Sequence, residues 1–383
     1  MELEEIKIKN IGKRGFFRGI SDNRNIKVLY TDVKEKVRGR IFSKKGKLYC
    51  DDIKEIIHKS KYRIKPKCKY YYKCGGCCYQ HLTYDREKQI KTNQAKSLLG
   101  LPPESYKVSK IYNYRNSLEF DVSGGKAGMH PRMSPFLINI DKCELMSDEI
   151  NNYLKETIQK NKKGFEGEVR AVLGDRGVIS RWYPKYESKK TSFANLKFGG
   201  KKLNGRIFYI SPDTFFQANE YLYSGWLKKI KLLILEEKNS FKSALELFSG
   251  VGTISIYLES IFEKIKMVEN NELSLFLAEK AIDEMALKKN KFDIKKKDLF
   301  QKSPVKSDAD VLVLNPPRAG LSNKIINFIN QNSFKFIIYS SCNYKTFARD
   351  IKKLEQYKLD KYYIYDMFPR TYHFEILSKL KKE

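Results

Sequence analysis

The chain has 383 residues, of which 41% are hydrophobic, so it can bury a sizeable core and is too long for a single compact domain. This composition excludes a wholly disordered protein. The 75 basic side chains outnumber the 45 acidic ones, and the formal net charge of +30 favours RNA or DNA as a partner, although a lysine bias in an AT-rich genome would also produce it.

The first residues, MELEEIKIKN, lack the apolar segment of a signal peptide, and no stretch approaches the roughly 18 apolar residues of a membrane span. We therefore expect a cytoplasmic protein without a membrane partner, and we expect it to act as a monomer. In the cytoplasm, clustered cysteines indicate metal binding or catalysis rather than disulfide bonds.

Residues 1–60 contain short segments typical of strands, such as EEIKIKNIG, RGFFRGI and NIKVLYTDV, with turns between them. Strands at this even spacing predict a small β-barrel, which here is strongly basic. An RNA-binding barrel and an ordinary β-domain with a lysine-rich face both fit these residues.

Residues 61–205 predict a central, β-rich domain that begins with a cysteine-rich loop and a helix over 84–99. Three of the loop cysteines, Cys68, Cys74 and Cys77, have the spacing C-x5-C-x2-C, and Cys143 lies far along the chain. Four thiolates suit an iron–sulfur cluster or a zinc ion, and the spacing alone leaves both open.

Residues 206–383 predict an α/β domain with a doubly wound, Rossmann-like parallel sheet. Helical patterns alternate there with buried strands, among them SALELFS, KIKMVEN, DVLVLN and FKFIIYSS. Ligands of such sheets bind at the carboxyl ends of the strands, so the functional residues are expected immediately after each of these segments.

The segment LELFSGVG predicts a strand followed by a tight turn, in which Gly250 and Gly252 let the backbone approach a ligand. The third glycine of a dinucleotide site is missing. Glu269 ends the next strand and could accept hydrogen bonds from two ribose hydroxyls, and Asp298 could reach an adenine. These features favour a nucleoside ligand without a pyrophosphate, with S-adenosylmethionine as the leading candidate; a structural turn with acids nearby by chance is the alternative.

Asn315, in LNPPRAG, follows a predicted strand and is held by two prolines, so its amide is suited to reading the edge of a planar base. An aromatic residue after the prolines would suggest amino-group methylation of adenine or cytosine. Arg318 occupies that position here, so the aromatic clamp of such enzymes is missing.

Cys342, in YSSCNYKTFARD, lies between a predicted strand and a predicted helix. A helix start favours the thiolate, so we expect a pKa below the ordinary value of about 8.5, although an inert buried cysteine fits the position equally well. The segment FPRTYHFEIL predicts a final strand. Its alternation sends Glu375 away from the core and toward the cleft.

A thiol nucleophile, a carboxylate base and a methyl donor together suit methylation at carbon 5 of a pyrimidine. This carbon is a weak nucleophile until a thiolate adds to carbon 6, after which it can accept the methyl group. A base then removes the hydrogen from carbon 5 and the thiol is eliminated.

Five motifs in this order resemble the RNA uracil-5 methyltransferase family of the TrmA/RumA type, over nearly the whole chain: SPDTFFQAN (211–219), LELFSGVG (245–252), LNPPRAG (314–320), YSSCNYKTFARD (339–350) and DMFPRTYHFE (366–375). The resemblance implies that Cys342 is the nucleophile and Glu375 the base. It also assigns five residues to the surroundings of S-adenosylmethionine: Gln217, Phe248, Glu269, Asp298 and Asn315. The family usually has Asp in place of Asn315, and a branch that acts on ribosomal RNA resembles this chain in carrying Asn.

The same resemblance implies that residues 1–60 form a TRAM domain, an OB-like RNA-binding barrel. The cysteine loop is similar to that of family members acting on ribosomal RNA, which implies a 4Fe–4S cluster held by Cys68, Cys74, Cys77 and Cys143. We expect the cluster to fix the loop and present residues 69–73 (KYYYK) to unpaired bases. Alternatively, the tyrosines only cover the cluster.

The sequence therefore predicts an enzyme that makes 5-methyluridine in RNA, with an unpaired or flipped uridine of 23S rRNA as the expected target. The same chemistry on a tRNA uridine is the nearest alternative. Two others are methylation of an exocyclic amine through Asn315 and a non-enzymatic RNA-binding protein that carries the cluster.

Overall fold

The computed structural model of the protein describes residues 3–186, 193–237, 241–302 and 307–383, so the first two residues of the predicted barrel lie outside the described part. Along the chain, a barrel, an antiparallel sheet and a large mixed sheet follow one another. Among the helices of the described residues, none combines the length and the apolar character needed to cross a membrane.

The N-terminal strands close into a five-stranded barrel, which confirms the predicted architecture of this region. Its strands are β1 (Leu3–Ile11), β2 (Phe17–Ser21), β3 (Arg24–Val28), β4 (Lys36–Lys44) and β5 (Lys47–His58). The barrel order is β1-β2-β3-β5-β4, and β4 pairs back onto β1. In β1, Ile6 and Ile8 are buried whereas Lys7 and Lys9 are exposed, because successive side chains of a strand point to opposite faces. This alternation gives an apolar interior and a basic surface.

The predicted helix after the cysteine loop is α1 (Tyr84–Leu99), which is followed by the short strand β6 (Ser105–Lys107). The Thr83 side chain accepts a hydrogen bond from the Arg86 N–H at the start of α1, and Gly100 ends the helix in the left-handed conformation at φ 77°. Both ends of α1 are therefore capped by residues suited to these positions.

The central sheet has five antiparallel strands in the order β11-β10-β7-β8-β9, and a two-stranded hairpin, β12 with β13, follows it. A π-helical turn, Leu154–Ile158, joins α2 to α3, and Phe193–Asn195 form a 3-10 turn. In chain order the elements are β7 (Ser117–Ser123), β8 (Lys126–Met129), β9 (Ile138–Asn139), α2 (Asp148–Tyr153), α3 (Gln159–Asn161), β10 (Gly167–Gly174), β11 (Gly177–Pro184), β12 (Gly199–Leu203) and β13 (Arg206–Ile210).

The C-terminal sheet has eight strands in the order β16-β15-β14-β17-β18-β20-β19-β6, of which β16 to β18 are parallel and β20 is antiparallel to both its neighbours. The edge strand β6 comes from the middle of the chain and pairs with β19. The elements are α4 (Glu220–Leu235), β14 (Ser243–Leu247), α5 (Thr253–Tyr257), β15 (Lys264–Glu269), α6 (Glu272–Glu284), a 3-10 turn (Lys289–Lys291), β16 (Phe292–Lys296), β17 (Val311–Leu314), α7 (Asn323–Asn330), β18 (Phe336–Ser341), α8 (Tyr344–Ile351), β19 (Tyr357–Tyr365) and β20 (Glu375–Lys382).

Helices cover both faces of this sheet, as expected for a doubly wound fold. In β17, Val311 and Val313 belong to one hydrophobic cluster, whereas Leu312 and Leu314 belong to the other. Helices α4, α5 and α6 pack in the first cluster, and α7 and α8 pack in the second. The strands are therefore apolar on both faces, which leaves their carboxyl ends as the place for polar groups.

The last strand is shorter than the sequence predicts. β20 begins only at Glu375, because the chain before it turns: Arg370 has φ 69°, and both the N–H and the hydroxyl of Thr371 donate to the Phe368 carbonyl, at 3.2 and 2.8 Å. Since β20 runs antiparallel to β18 and Ile376 pairs with Ser341, Glu375 starts its strand beside the end of β18. This register brings Glu375 close to Cys342.

A buried ion cluster attaches α1 to the segment before Glu375. The ammonium group of Lys91 donates to Glu87 at 2.6 Å and to Asp366 at 2.8 Å, and all three side chains are fully buried. The Arg370 N–H also donates to Glu87, at 2.8 Å. The turn that leads into β20 is therefore fixed from outside its own domain.

Candidate active site

A cavity of about 480 Å³ opens at the carboxyl edge of the parallel strands, where doubly wound sheets bind their ligands. The structure brings all seven residues predicted for catalysis and cofactor binding to its wall: Gln217, Phe248, Glu269, Asp298, Asn315, Cys342 and Glu375. These residues come from five separate connections, one strand end and one strand start. Their convergence follows from the strand order of the sheet.

The glycine turn after β14 forms one side of the cavity. Gly250 and Gly252 have φ values of 54° and 75°, and a Cβ on Gly252 would lie 2.7 Å from Cε of Met267, so both conformation and space require glycine there. Phe248 also has a positive φ, 65°, which is strained for a bulky residue. Its ring lines the cavity with its centroid 5.7 Å from that of Phe300, so the strained residue offers an aromatic surface to a ligand.

Two carboxylates lie beyond this turn, each fixed by backbone amides. Glu269 accepts hydrogen bonds from the N–H groups of Gly250 at 3.0 Å, Asn270 at 2.8 Å and Asn271 at 2.9 Å. Asp298 accepts from the N–H of Phe300 at 2.9 Å and of Gln301 at 3.2 Å. Oε1 of Glu269 and Oδ1 of Asp298 each accept two of these bonds, so Oε2 of Glu269 and Oδ2 of Asp298 are the oxygens that can still accept from the hydroxyls or the amine of a nucleoside.

Glu246 is a cavity residue that the sequence analysis did not identify. It lies within β14, is 2% exposed, and accepts hydrogen bonds from the N–H and the hydroxyl of Ser255. Burial raises the pKa of this carboxyl group to about 8. An acid between two leucines of a buried strand, in LELFS, is the signal that could have identified it.

Cys342 lies between β18 and the N-cap of α8, Asn343, as the sequence predicts. The expected low pKa is wrong for this structure: burial, with the negative charge of Glu375 adding to it, raises the pKa of the thiol to about 12. The Arg318 guanidinium acts in the opposite direction, through its charge and a hydrogen bond, and favours the thiolate. Desolvation therefore outweighs the start of a short helix, and the effect of Arg318 on the thiol is one that the sequence alone did not indicate.

Glu375 is 1% exposed, and burial raises its pKa to about 8. The Ser340 hydroxyl donates to its carboxylate at 2.6 Å, and the Trp226 indole N–H donates to the same hydroxyl at 3.2 Å. This chain of hydrogen bonds fixes one carboxylate oxygen, and the other side of the group faces the cavity that Cys342 also lines. A carboxyl group with a pKa near neutrality is suited to accept and release a proton.

Asn315 and Gln217 bring neutral amides to the cavity wall. Within the described parts of the chain, the Asn315 amide makes no hydrogen bond to protein, so its donor and acceptor are both available to a ligand. Gln217 is buried, and its backbone carbonyl accepts a hydrogen bond from the side-chain amide of Asn116 at 3.1 Å. Beside it, Phe215 is 64% exposed at the mouth of the cavity.

A second cavity, of about 410 Å³, is lined by all four cysteines that the sequence assigns to a metal centre: Cys68, Cys74, Cys77 and Cys143. Burial raises the pKa of Cys74 to about 11 and that of Cys77 well above its ordinary value, and the neighbouring Cys143 acts in the same direction on both. Among the described residues, no three cysteine, histidine or acidic side chains lie close enough to hold a single ion. Cys50 and Cys78 are buried elsewhere and do not line this cavity.

The tyrosines of the cysteine loop do not all face solvent, as their expected stacking on RNA would require. Tyr71 is 2% exposed and its hydroxyl lies 2.7 Å from Nδ1 of the buried His81, so it packs inward. Tyr70 donates to Asp141 at 2.8 Å, and Lys69 pairs with the same carboxylate. Tyr72 remains 53% exposed. For Tyr71 the alternative expectation, that it covers the loop, fits the structure.

Comparison with known proteins gives consistent matches. The family described as tRNA (Uracil-5-)-methyltransferase matches residues 194–383. The tRNA (uracil(54)-C(5))-methyltransferase of Pyrococcus abyssi is 28% identical over 368 residues, which cover 85% of this chain and 88% of that protein. An uncharacterized RNA methyltransferase of Nanoarchaeum equitans is 28% identical over 433 residues, which cover 99% of this chain and 93% of that one.

A solved structure resembles the chain over its full length. The crystal structure of the Pyrococcus abyssi tRNA (uracil-54, C5)-methyltransferase, in complex with S-adenosyl-L-homocysteine, superposes with a TM-score of 0.79 at 25% identity. The match covers 98% of this chain and 99% of that one, so the barrel, the central sheet and the C-terminal sheet are all included.

Proposed function

Because this chain belongs to the tRNA (uracil-5-)-methyltransferase family and is an S-adenosylmethionine-dependent RNA methyltransferase, we propose that it methylates carbon 5 of an unpaired uridine through a covalent bond to Cys342. One observation carries the proposal: a single cavity joins the Cys342 thiol, the buried Glu375 carboxyl group and the glycine turn with its two amide-bound carboxylates. A nucleophile, a base and a nucleoside site thus share one enclosure.

Glu269 and Asp298 are the residues we assign to the ribose and adenine of S-adenosylmethionine, with Phe248 as an aromatic contact and Gln217 beside them. When bound, this molecule supplies a methyl group made electrophilic by its sulfonium. The two carboxylates are already oriented by backbone amides, so they lose little conformational freedom when the nucleoside binds. Asn315, with a free amide, is suited to accept a hydrogen bond from uracil N3–H.

In the proposed reaction, the Cys342 thiolate bonds to carbon 6 of the uracil, and the electron pair of the 5,6 double bond makes carbon 5 nucleophilic. After carbon 5 has accepted the methyl group, the Glu375 carboxylate removes its proton. The electron pair of that C–H bond restores the double bond, and the thiolate leaves carbon 6. The proton passes from Glu375 to solvent, which balances the positive charge lost when the sulfonium gives up its methyl group.

Arg318 is the residue we assign to thiolate stabilisation. Burial and Glu375 both disfavour a charged sulfur, and Arg318 is the neighbour that lowers the pKa of Cys342. The pKa of about 12 for the cysteine and of about 8 for Glu375 belong to the protein without RNA. We therefore expect the sulfur to lose its proton as it bonds to the uracil, with the developing charge passing to the uracil oxygens.

We favour tRNA as the substrate, because relatives of 28% and 29% identity are named tRNA (uracil(54)-C(5))-methyltransferases. The second candidate is 23S rRNA. It is supported by Asn315, which this chain shares with a ribosomal-RNA branch of the family. The two differ only in which RNA reaches the cavity, since the chemistry at the uracil is the same.

The experiment that tests the function uses unmodified tRNA transcripts and 23S rRNA fragments with S-adenosylmethionine, followed by nucleoside mass spectrometry. We expect 5-methyluridine in one class of RNA with the native protein and none with Cys342→Ala. A methylated adenine or cytosine that persists in Cys342→Ala would instead support amino-group methylation through Asn315 and overturn the proposal.

We further propose that Cys68, Cys74, Cys77 and Cys143 hold a 4Fe–4S cluster. The support is the cavity that all four thiols line, with a volume that leaves room for more than one metal atom. A cluster bound there would join the loop to the central sheet, because Cys143 follows β9. Its function would be structural, since methyl transfer moves no electrons through it.

Iron, sulfide and zinc analysis of anaerobically purified protein tests this assignment. We expect about four iron and four sulfide per chain and a broad visible absorbance, which Cys143→Ser removes. The matched control is Cys50→Ser, which changes a buried thiol outside the cavity and should retain the iron. One zinc per chain without sulfide would favour the alternative metal.

A further inference from the structure

A third cavity, of about 620 Å³, lies where the barrel, the cysteine loop and the segment before β20 meet. We call it the basic groove. Its wall carries five cations, and none of its lining residues in the described part of the chain is acidic: the cations are Lys13, Arg14, Arg18, Lys27 and Arg132. Aromatic rings lie among them, including Phe16, Tyr49 and Tyr372.

Some cations of the barrel are paired with acids: Arg38 pairs with Glu5 and Glu55, and Lys36 also pairs with Glu5. Within the described residues, none of the five groove cations forms an ion pair with an acid. Arg132 donates instead to the carbonyls of Gly75 and Arg14, and so connects the cysteine loop to the barrel. The groove therefore has positive charge that the protein leaves unneutralised.

Lys345 adds a further cation close to those of the basic groove. It lies in the first turn of α8, three residues after Cys342. Burial, together with the positive charges of Lys13, Arg14 and Arg18, lowers the pKa of its ammonium group to about 8. Its nitrogen lies 5.3 Å from the ring centroid of Tyr344, and it has no acidic partner in the described chain. A cation surrounded by cations indicates a place for an external anion.

The groove and the catalytic cavity are adjacent. His373 lines the groove and Phe368 lines the cavity, and the centroids of these two rings are 6.0 Å apart. Arg132, a groove cation, lies over the ring of Tyr372 at 5.1 Å, and that ring packs on His373 with centroids 3.9 Å apart. A single layer of aromatic side chains thus lies between the basic groove and the catalytic cavity.

We propose that Lys345, together with Lys13, Arg14 and Arg18, binds the backbone phosphates of the nucleotides that adjoin the target uridine. This inference rests on the proposed function, since it needs an RNA strand that enters the catalytic cavity. Phosphates bound between the barrel and α8 hold the strand on both sides of the groove, while Tyr49 and Phe16 offer rings on which a neighbouring base can stack. The flipped base then passes toward Cys342.

The test measures binding of a fluorescein-labelled oligouridylate by anisotropy at salt concentrations from about 50 to about 200 mM. Each phosphate contact to single-stranded RNA contributes about 0.7 to the slope of log K against log salt concentration. We expect Lys345→Ala and Arg18→Ala each to reduce that slope by about this amount and to weaken binding several-fold, whereas Lys345→Arg retains both.

Two matched controls lie on the same elements. Lys352→Ala changes an exposed lysine at the other end of α8, and Lys9→Ala changes an exposed lysine of β1 that does not line the groove. Both should keep the native slope. An unchanged slope in Lys345→Ala and Arg18→Ala would overturn the inference, as would an equal loss in the two controls.

A second readout separates this inference from the proposed function. Calorimetric binding of S-adenosylmethionine to Lys345→Ala should match that of the native protein, because the lysine does not line the catalytic cavity. If the native protein makes 5-methyluridine but the groove variants keep the native slope, only the phosphate assignment fails. If the slope changes as expected but no 5-methyluridine forms with any RNA, the proposed function fails.

Discussion

The two cysteine-bearing cavities, the catalytic one at the sheet edge and the one within the cysteine loop, are positioned in opposite ways. In the catalytic cavity, Cys342 and Glu375 are fixed by strand register, because β18 and β20 pair directly. In the loop cavity, Cys68, Cys74 and Cys77 lie outside helices and strands, so the sheet does not fix them. The comparison teaches that strand register alone brings together the residues proposed as nucleophile and base, whereas the four thiols of the loop cavity would need the proposed cluster to hold them together.

The largest expected effect comes from a substitution in the catalytic cavity. Glu375→Gln keeps the shape and the hydrogen bond from Ser340 but removes the base, so we expect turnover to fall by roughly 10² to 10⁴-fold. Because addition and methyl transfer precede proton removal, the variant should accumulate a covalent protein–RNA adduct with ordinary RNA. Denaturing gels measure the adduct, and radiolabelled methyl transfer measures the rate.

Glu355→Gln is the control for that experiment, since it changes an exposed carboxylate after α8 with no contact to the cavity. It should turn over at the native rate. A Glu375→Gln variant with native activity would remove Glu375 from the mechanism and with it the importance of the β18–β20 register.

The next largest effect is a change of melting temperature that follows from a substitution in the loop cavity. Cys143→Ser should lower the melting temperature, because without the proposed cluster the three half-buried thiols of the loop lose their common partner. A loss of about 2 kcal/mol corresponds to roughly 4 to 8 °C for a domain of this size. Cys342→Ser, measured by the same thermal scan, should melt like the native protein. Equal melting of the two variants would contradict the distinction between fold-positioned and ligand-positioned cysteines.

The smallest effect, when it is expressed per pH unit, concerns the buried acid of β14. The folded-state pKa of Glu246, about 8, is higher than its ordinary value of 4.5, so the folded protein binds more protons than the unfolded chain between these two values. The contribution of Glu246 to the free energy of unfolding is therefore fully present below about pH 4.5 and is lost as the pH rises through about 8. Glu246→Gln should make the free energy of unfolding fall less steeply with pH, by at most about 1.4 kcal/mol per pH unit.

Urea unfolding between about pH 5 and about pH 8 measures this slope. Burial also raises the pKa of Glu375 to about 8, so the Glu246→Gln variant should retain part of the pH dependence. A slope identical to that of the native protein would mean that Glu246 is not held neutral in the folded state.

Local patterns predict most of the architecture and five of the seven residues that meet in the catalytic cavity, whereas Gln217 and Phe248 were assigned only through the family resemblance. Alternation in LEEIKIKNI predicts the barrel, and strands followed by polar residues predict where Glu269, Asn315 and Cys342 meet. Chain order suffices for this, since parallel strands bring their carboxyl ends to one edge.

The remainder depends on contacts between distant segments. The pKa of Cys342 follows from burial and from Glu375, which the helix position alone does not indicate. The burial of Tyr71 depends on its contact with His81. The edge strand β6 pairs with β19, which lies more than 200 residues later in the chain. The start of β20 depends on the turn at Arg370, which α1 holds through Glu87. Periodicity contains no information on these long-range contacts.

The measurement that tests the central claim most directly is mass spectrometry of the protein after reaction with S-adenosylmethionine and RNA that carries 5-fluorouridine at the target position. Fluorine cannot leave carbon 5 as a proton, so the thiol cannot be eliminated. We predict a stable nucleotide adduct on the peptide that contains Cys342, and none with Cys342→Ala. A native enzyme that methylates ordinary RNA but forms no adduct, or forms it on another residue, would contradict the account.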